Sequence, residues 1–511
     1  MRTGTPSWRS SCTCWFVVND NFWERPVSGL SFFVGRLCLI AYRAGIQRFN
    51  VKRKSLKLLS PNASRLYDGD LGRPKQLPRM KCSMSCRNIL ALILLSLTMA
   101  GLSNNLPAQD DLQANASDWA RWRGPNGNGI ATADQKPPVK WSSTENVVWK
   151  TKIPGKGHSS PIVMESQIFL TTANVSAGTQ SVVCIKRKDG ELLWQTEISR
   201  GKLPKIHPKN THASPTVATD GKHIFCVFKH DGFTELSKLD FEGNIVWKKK
   251  VGQHESGYNF GNGYGASPIV YGDNVIVSNE NEIKSAIVAF NKESGEESWR
   301  IDRTGVSSYS TPVVAEVGGK KQLLQSGGQL VKSYDPNDGS ENWSIDAAWK
   351  VSCGTLIWDG DMVFASGGFP AQQTLAIDTS KGPAVAWENS IKVYEQSMLI
   401  VDGFIFAHAE NNAVYCWRAA DGKEMWKKRF STKKHGQSVS PVLAGGNIYF
   451  TAENGETVVI KPNSTQFEVV ARNKLGDLAF ATPAFCDNRV YTRVGDSATG
   501  TDHQWLYCLG E

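Results

Sequence analysis

Ala289-Phe-Asn-Lys-Glu-Ser-Gly-Glu-Glu-Ser-Trp299 is followed along the chain by Ser333-Tyr-Asp-Pro-Asn-Asp-Gly-Ser-Glu-Asn-Trp343 and then by Cys416-Trp-Arg-Ala-Ala-Asp-Gly-Lys-Glu-Met-Trp426. Each version begins with a small residue, turns at a glycine and ends on an indole. The glycine permits a positive-φ turn, and a preceding Asp or Asn side chain can bond nearby amides. The small residue leaves room for the indole between neighbouring layers. The tryptophan beat extends outward to seven positions, Trp149, Trp194, Trp247, Trp299, Trp343, Trp387 and Trp426. A second beat, mostly Ser-Pro or Thr-Pro, marks Pro161, Pro215, Pro268, Pro312, Thr355, Ser397, Pro441 and Pro483. Its later intervals are 44, 43, 42, 44 and 42 residues, so one supersecondary unit is repeated.

Residues 267–302 parse into four short strands, over residues 267–272, 275–278, 285–291 and 295–301, joined by tight turns. Four antiparallel strands at a period of 40–45 residues describe a propeller blade. The expectation is an all-β, eight-bladed β-propeller of four-stranded antiparallel blades over residues 118–511. The seven tryptophans are read as docking residues between blades, with Val469 in the eighth such place. The last repeat, from Pro483, runs out after a third strand at Gln504–Leu509, while a spare fourth strand, Glu145–Lys150, precedes the first repeat. The N-terminal strand is therefore expected to complete the last blade and close the ring.

The net charge of +10 resembles a nucleic-acid signal until it is located. Residues 1–87 carry 16 Lys/Arg against four Asp/Glu, which leaves −2 on the rest. A nucleic-acid partner is thereby excluded as a reading of the globular part. The six later cysteines, Cys184, Cys226, Cys353, Cys416, Cys486 and Cys508, show no CxxC spacing, and no metal site is expected. Lys81 and Arg87 precede the apolar run Ile89–Ala100, the layout of a secretory signal over residues 80–108, with cleavage expected after Ala108. Residues 109–117 read as a linker, and residues 1–79 as a mis-assigned upstream or disordered segment, with translation starting at Met80 or Met84. The chain is expected to be exported, periplasmic or cell-envelope, monomeric, and membrane-associated only through partners or an uncleaved signal anchor.

The Ala-x-Asp-x-x-Thr-Gly-x-x-x-Trp pattern in the segments ending at Trp299, Trp343 and Trp426 resembles the pyrroloquinoline-quinone (PQQ) repeat. The chain is similar, over about residues 118–511, to the quinoprotein-alcohol-dehydrogenase-like propellers. The opening Asp118-Trp-Ala-Arg-Trp-Arg-Gly-Pro-Asn-Gly also resembles the leader of exported PQQ-repeat proteins. The resemblance implies eight blades and either of two functions. PQQ-dependent dehydrogenases carry an adjacent Cys-Cys pair, calcium ligands and a catalytic Asp, and this chain has no Cys-Cys. The propeller lipoprotein of the outer-membrane assembly machinery is a non-catalytic scaffold, and this chain lacks its lipidated cysteine.

Loops entering each first strand are expected to gather at one mouth of the central channel. Counting from the proline beat places His158, His212, Tyr309 and Tyr394 in one ring and Glu395 in a second ring of otherwise small residues. These five are the candidate ligand-binding residues, and no catalytic residue is assigned. The favoured function is an exported non-catalytic scaffold for a protein partner or ligand, with no cofactor. A divergent dehydrogenase using PQQ and calcium is the alternative. A glycan-active propeller is a third reading, for which no carboxylate pair is found.

Overall fold

Strands form here because apolar residues alternate or run in short stretches bounded by turn formers. In Asn274–Asn279 and Ser285–Asn291 the β-branched residues are fully buried on both faces, as strands inside a stack of sheets must be. The computed structural model describes residues 118–511 except 255–260, 304, 306–307, 432–434 and 498–502. Residues 1–117, with the expected signal and linker, lie outside the described residues, as do Tyr258, Asn259 and Phe260 of a glycine-rich loop. The described residues form no helix long and apolar enough to cross a membrane.

Eight four-stranded antiparallel sheets follow one another, with a short two-stranded ribbon, Trp349–Val351 with Phe369–Pro370, beside the fifth. Blades 1 to 7 are each built from four strands running in chain order, starting with Ile162–Met164. Blade 8 takes Ala484–Cys486, Arg489–Asp496 and His503–Leu509 from the C-terminus and Val147–Ile153 from the N-terminus. In that closing pair Trp149 stands opposite Cys508 and Ile153 opposite Gln504. The eight-bladed β-propeller and its N-terminal closure are as the repeat count implies.

The indoles lie between blades. A Cβ on Gly190, Gly243, Gly295, Gly339 or Gly422 would fall 3.0 Å or less from Trp149, Trp194, Trp247, Trp299 or Trp387 of the preceding blade. The turn glycine is thus required twice, for its positive φ and for the indole pressed against it. Three of the indoles also donate to the next blade, Trp149 to Arg187 O, Trp194 to Phe241 O and Trp387 to Ala419 O. Trp426 donates to Asn463 O and meets Phe467 edge-on at 5.4 Å. Trp343 instead turns back to Gln322 of its own blade, and the turn glycine of blade 5, Gly382, has no indole against it.

Val469 is not the eighth docking residue. In the other blades the tryptophan pairs with the residue just before a bulge, as Cys184 does with Trp194 and Ala289 with Trp299. In blade 7 that partner is Val459, and it faces Ala471, while Val469 lies beyond the bulge and is exposed. The reason lies at the seam: blade 8 has a chain break where the other blades have a turn, so no turn receives an indole. Trp141, just before the closing strand, fills the place. It is buried, stacks on Tyr449 at 6.0 Å, and its segment is tied to blade 7 by Trp141 N–Asn473 Oδ1 and Asn473 Nδ2–Val139 O bonds.

Candidate functional site

A belt of hydroxyls fixes which residues face the axis. Ser160 N donates to Thr216 Oγ1, Thr216 N to Ser267 Oγ, and Ser267 N to Thr311 Oγ1. Thr355 N continues to Ser397 Oγ, then Ser397 N to Ser440 Oγ, Ser440 N to Thr482 Oγ1, and Thr482 N back to Ser160 Oγ. The seven bonds measure 2.9–3.1 Å and join consecutive blades. At the eighth junction, between Thr311 and Thr355, the Thr355 hydroxyl accepts from Trp122 Nε1 at 3.0 Å. A buried amide needs a partner, and at seven of the eight junctions the first strand finds one on its neighbour.

Two residues before each belt position, every blade contributes one side to an axial cavity of about 400 Å³. Blades 1 to 4 supply His158, Ser214, Gly265 and Tyr309. Blades 5 to 8 supply Cys353, Glu395, Ser438 and Phe480. Trp122 forms the floor, together with Thr216, Ser267 and Thr311 of the belt, and Lys209, Phe369 and Tyr394 stand higher on the wall. Trp122 also borders a cavity of about 40 Å³ on its other side, so the indole separates the two spaces.

The leader holds that indole in place. Trp119 pairs with Val163 through two backbone bonds, and the fully buried Arg123 donates to Asn128 O and Met398 O at 2.8 Å each. Asp118 Oδ1 accepts from the Glu165 amide at 2.9 Å.

Of the residues expected at the mouth, His158, Tyr309, Tyr394 and Glu395 line the cavity. His212 does not. It borders a separate small cleft with Thr211 and Tyr264, and its carbonyl accepts from Gln180 Nε2. Pro215 precedes its belt residue, Thr216, whereas Pro161 and Pro312 follow theirs, so counting from proline shifts blade 2 by two positions. Thr355 and Ser397 are themselves belt residues, so blades 5 and 6 shift by one. Glu395 consequently belongs to the same ring as His158 and Tyr309, and Tyr394 lies one step behind it. Lys209, Glu453 and Trp122 were not anticipated. A count from the hydroxyls rather than the prolines would have corrected His212, but no periodic signal points to the other three.

One ion-pair cluster dominates the cavity. Lys209 Nζ lies 2.7 Å from Glu395 Oε2 and 2.8 Å from Glu453 Oε1. Ser438 Oγ sits within hydrogen-bond distance of both carboxylates, at 2.5 and 2.6 Å. A Cβ on Gly436 would overlap the Glu453 carboxylate, so that glycine makes room for it. Burial alone would depress Lys209, but its bonds to Glu395 and Glu453 outweigh that and hold the ammonium above its ordinary range. His158 stacks on Phe480 at 4.2 Å, and burial, then Arg493 and Lys156, lower it to about 3. Burial pushes the Cys353 thiol and the Tyr394 phenol well above their usual ranges, reinforced by Glu395 on the thiol and by Cys353 on the phenol.

The model of the family described as outer membrane protein assembly factor BamB matches residues 110–204 and 178–428, more than half of the chain. The chain belongs to this family. Among curated proteins it is similar to the outer membrane protein assembly factor BamB of Yersinia pestis, 19% identical over 67% of this chain and 76% of that one. It is also similar to the quinoprotein alcohol dehydrogenase PedH of Pseudomonas putida, 23% identical over 57% of this chain but only 46% of the relative's length. The crystal structure of BamB from Moraxella catarrhalis shares the fold at a TM-score of 0.51 and 15% identity, covering 71% of this chain and 98% of that one.

Within this BamB family member, the described residues bring no three of His, Cys, Asp and Glu together as a group able to hold a metal ion. Glu395 and Glu453 converge in the site, but a lysine stands between them. Among the described residues, the cavity lining holds one carboxylate, Glu395, and two amide side chains, Asn210 and Asn262, and the carboxylate is already engaged by Lys209 and Ser438.

Proposed function

We propose that the chain is an exported, monomeric, non-catalytic propeller that holds a protein partner in the cell envelope through the face bearing the axial cavity. The ion-pair cluster carries this reading. Lys209 and Ser438 tie up Glu395, the one carboxylate among the described residues that lines the cavity, and Lys209 also bonds Glu453, an arrangement suited to holding a partner's charge. Export is supported by the basic-then-apolar stretch from Lys81 to Ala100, and by the name of the Yersinia relative as an outer membrane protein assembly factor.

The test is crosslinking of the tagged chain in the envelope fraction, alongside a dye-linked alcohol oxidation assay with added PQQ and calcium. Recovery of a protein crosslinked to residues of the cavity face is expected. Alcohol-dependent dye reduction that requires the quinone would overturn the reading and establish the dehydrogenase instead.

A further inference from the structure

We infer that the axial cavity is a receptor for a basic side chain, ammonium or guanidinium, presented by a partner segment, and that Lys209 occupies it as an internal stand-in. The inference rests on the scaffold reading and names what the cavity recognises. Lys209 belongs to no strand. It rides on the connection between blades 1 and 2, residues 201–217, and reaches across the mouth to Glu395 of blade 6 and Glu453 of blade 7. In a ring of eight, blades 2 and 6 stand opposite, so this connection spans the opening as a strap.

The charges at the crossing do not cancel. Two carboxylates converge on one ammonium, and the locus keeps an excess of negative charge in a partly desolvated setting, where such charge attracts cations strongly. The carboxylates lie deeper than their partner, with Glu453 only 16% exposed against 39% for Lys209. Tyr309, Tyr394 and Phe480 line the cavity, and Tyr394 already carries the Lys392 ammonium 4.5 Å from its ring centre, the kind of contact a cationic tip makes with an aromatic face. At the level of the belt Trp122 lines the same space, held by its bond to Thr355.

An internal occupant sets the apparent affinity. A ligand binds only the fraction of molecules in which Lys209 has swung out, so removing Lys209 must tighten binding by the inverse of that fraction. Calorimetry of the full chain with acetyl-Gly-Lys-Gly-amide reads this directly. Lys209→Met is expected to bind roughly tenfold tighter or better than the unaltered chain. Adding Glu395→Gln should remove most of that gain. The same peptide with its lysine acetylated should not bind. Equal affinity of Lys209→Met and the unaltered chain, or equal binding of the acetylated peptide, would overturn the assignment.

A second measurement needs no variant. Acetyl-Gly-Arg-Gly-amide carries no reactive amine, and its binding should raise acylation of Lys209 by an amine reagent, read by mass spectrometry. Unchanged acylation at saturating peptide would count equally against the stand-in. Failure of peptide binding while a partner is still crosslinked in the envelope removes the cavity assignment alone. Quinone-dependent alcohol oxidation removes the scaffold reading.

Discussion

Trp299 is 9% exposed, pairs with Ala289 of its own blade and presses on Gly339 of the next. Its indole fills an interblade space that neither sheet can collapse into without breaking its own ladder. Truncation leaves a cavity as well as losing buried area, so Trp299→Ala is expected to cost about 3–5 kcal/mol, measured by urea unfolding. A shift under about 1 kcal/mol would mean that the blades repack around the loss. At this scale the sequence was informative where a side chain repeats. It was misleading where a proline was used as the ruler. Proline at a strand start is merely tolerated, whereas the hydroxyls of Ser160, Thr216 and their equivalents make the bonds that set the frame. His212 was displaced from the cavity for that reason. Lys209 and Trp122 escaped notice because they stand outside the repeat, in segments whose path depends on the closed ring.

The turn between the third and fourth strands is the element through which blades meet. Gly422 has φ +70°, and a Cβ there would lie 2.6 Å from Trp387. Gly403 has φ +75° with nothing within 4 Å of the same atom. Alanine at Gly403 should cost only the left-handed backbone penalty, about 1–2 kcal/mol. Alanine at Gly422 should cost clearly more, because the indole must also move. Equal losses in thermal unfolding would show that the Trp387 contact adds nothing. The closing strand makes a stronger claim. Removing residues 118–152 takes away Trp149, Trp141 and most of Val147–Ile153, leaving blade 8 with an open edge. Loss of the cooperative melt and of the near-ultraviolet circular dichroism is expected, and a truncated chain that melts as sharply as the original would refute the closure. This seam was legible in advance because strand counting is a matter of sequence alone. The substitution of Trp141 for an eighth docking tryptophan was not, since it depends on a turn that blade 8 lacks.

For the whole molecule, buried histidines couple stability to acidity. Burial lowers His158 to about 3, His254 to about 4 and His408 to about 3. Unfolded, each would titrate near 6.5. Below that value the unfolded chain binds protons that the folded chain refuses, so stability falls as the pH drops from about 6.5 toward 4. Each histidine contributes a slope of up to about 1.4 kcal/mol per pH unit in that window and none above it. Melting temperatures taken from pH 7.5 to 4.5 should stay level at first and then decline, and a flat profile would contradict the burial. His408 is the sharpest case, fully buried between Phe430 and Phe450 with neither ring nitrogen hydrogen-bonded among the described residues. His408→Leu should therefore be neutral or stabilising by about 1 kcal/mol at pH 7 and should flatten the acid limb.

The closing pair also determines how the ring would respond to tension. Val147 stands opposite Leu509, so the leader and the C-terminus leave the ladder from the same end. A pull on those two points would peel the strands apart one bond at a time rather than loading all of them in parallel. The leader relieves this weak geometry. Trp119 on blade 1, Trp122 at the axis, Arg123 beneath blade 6 and Trp141 on blade 7 tie down the chain before it reaches the seam. Any force entering from the N-terminal side is taken up by these four anchors, spread over half the circumference, before the clasp itself bears load.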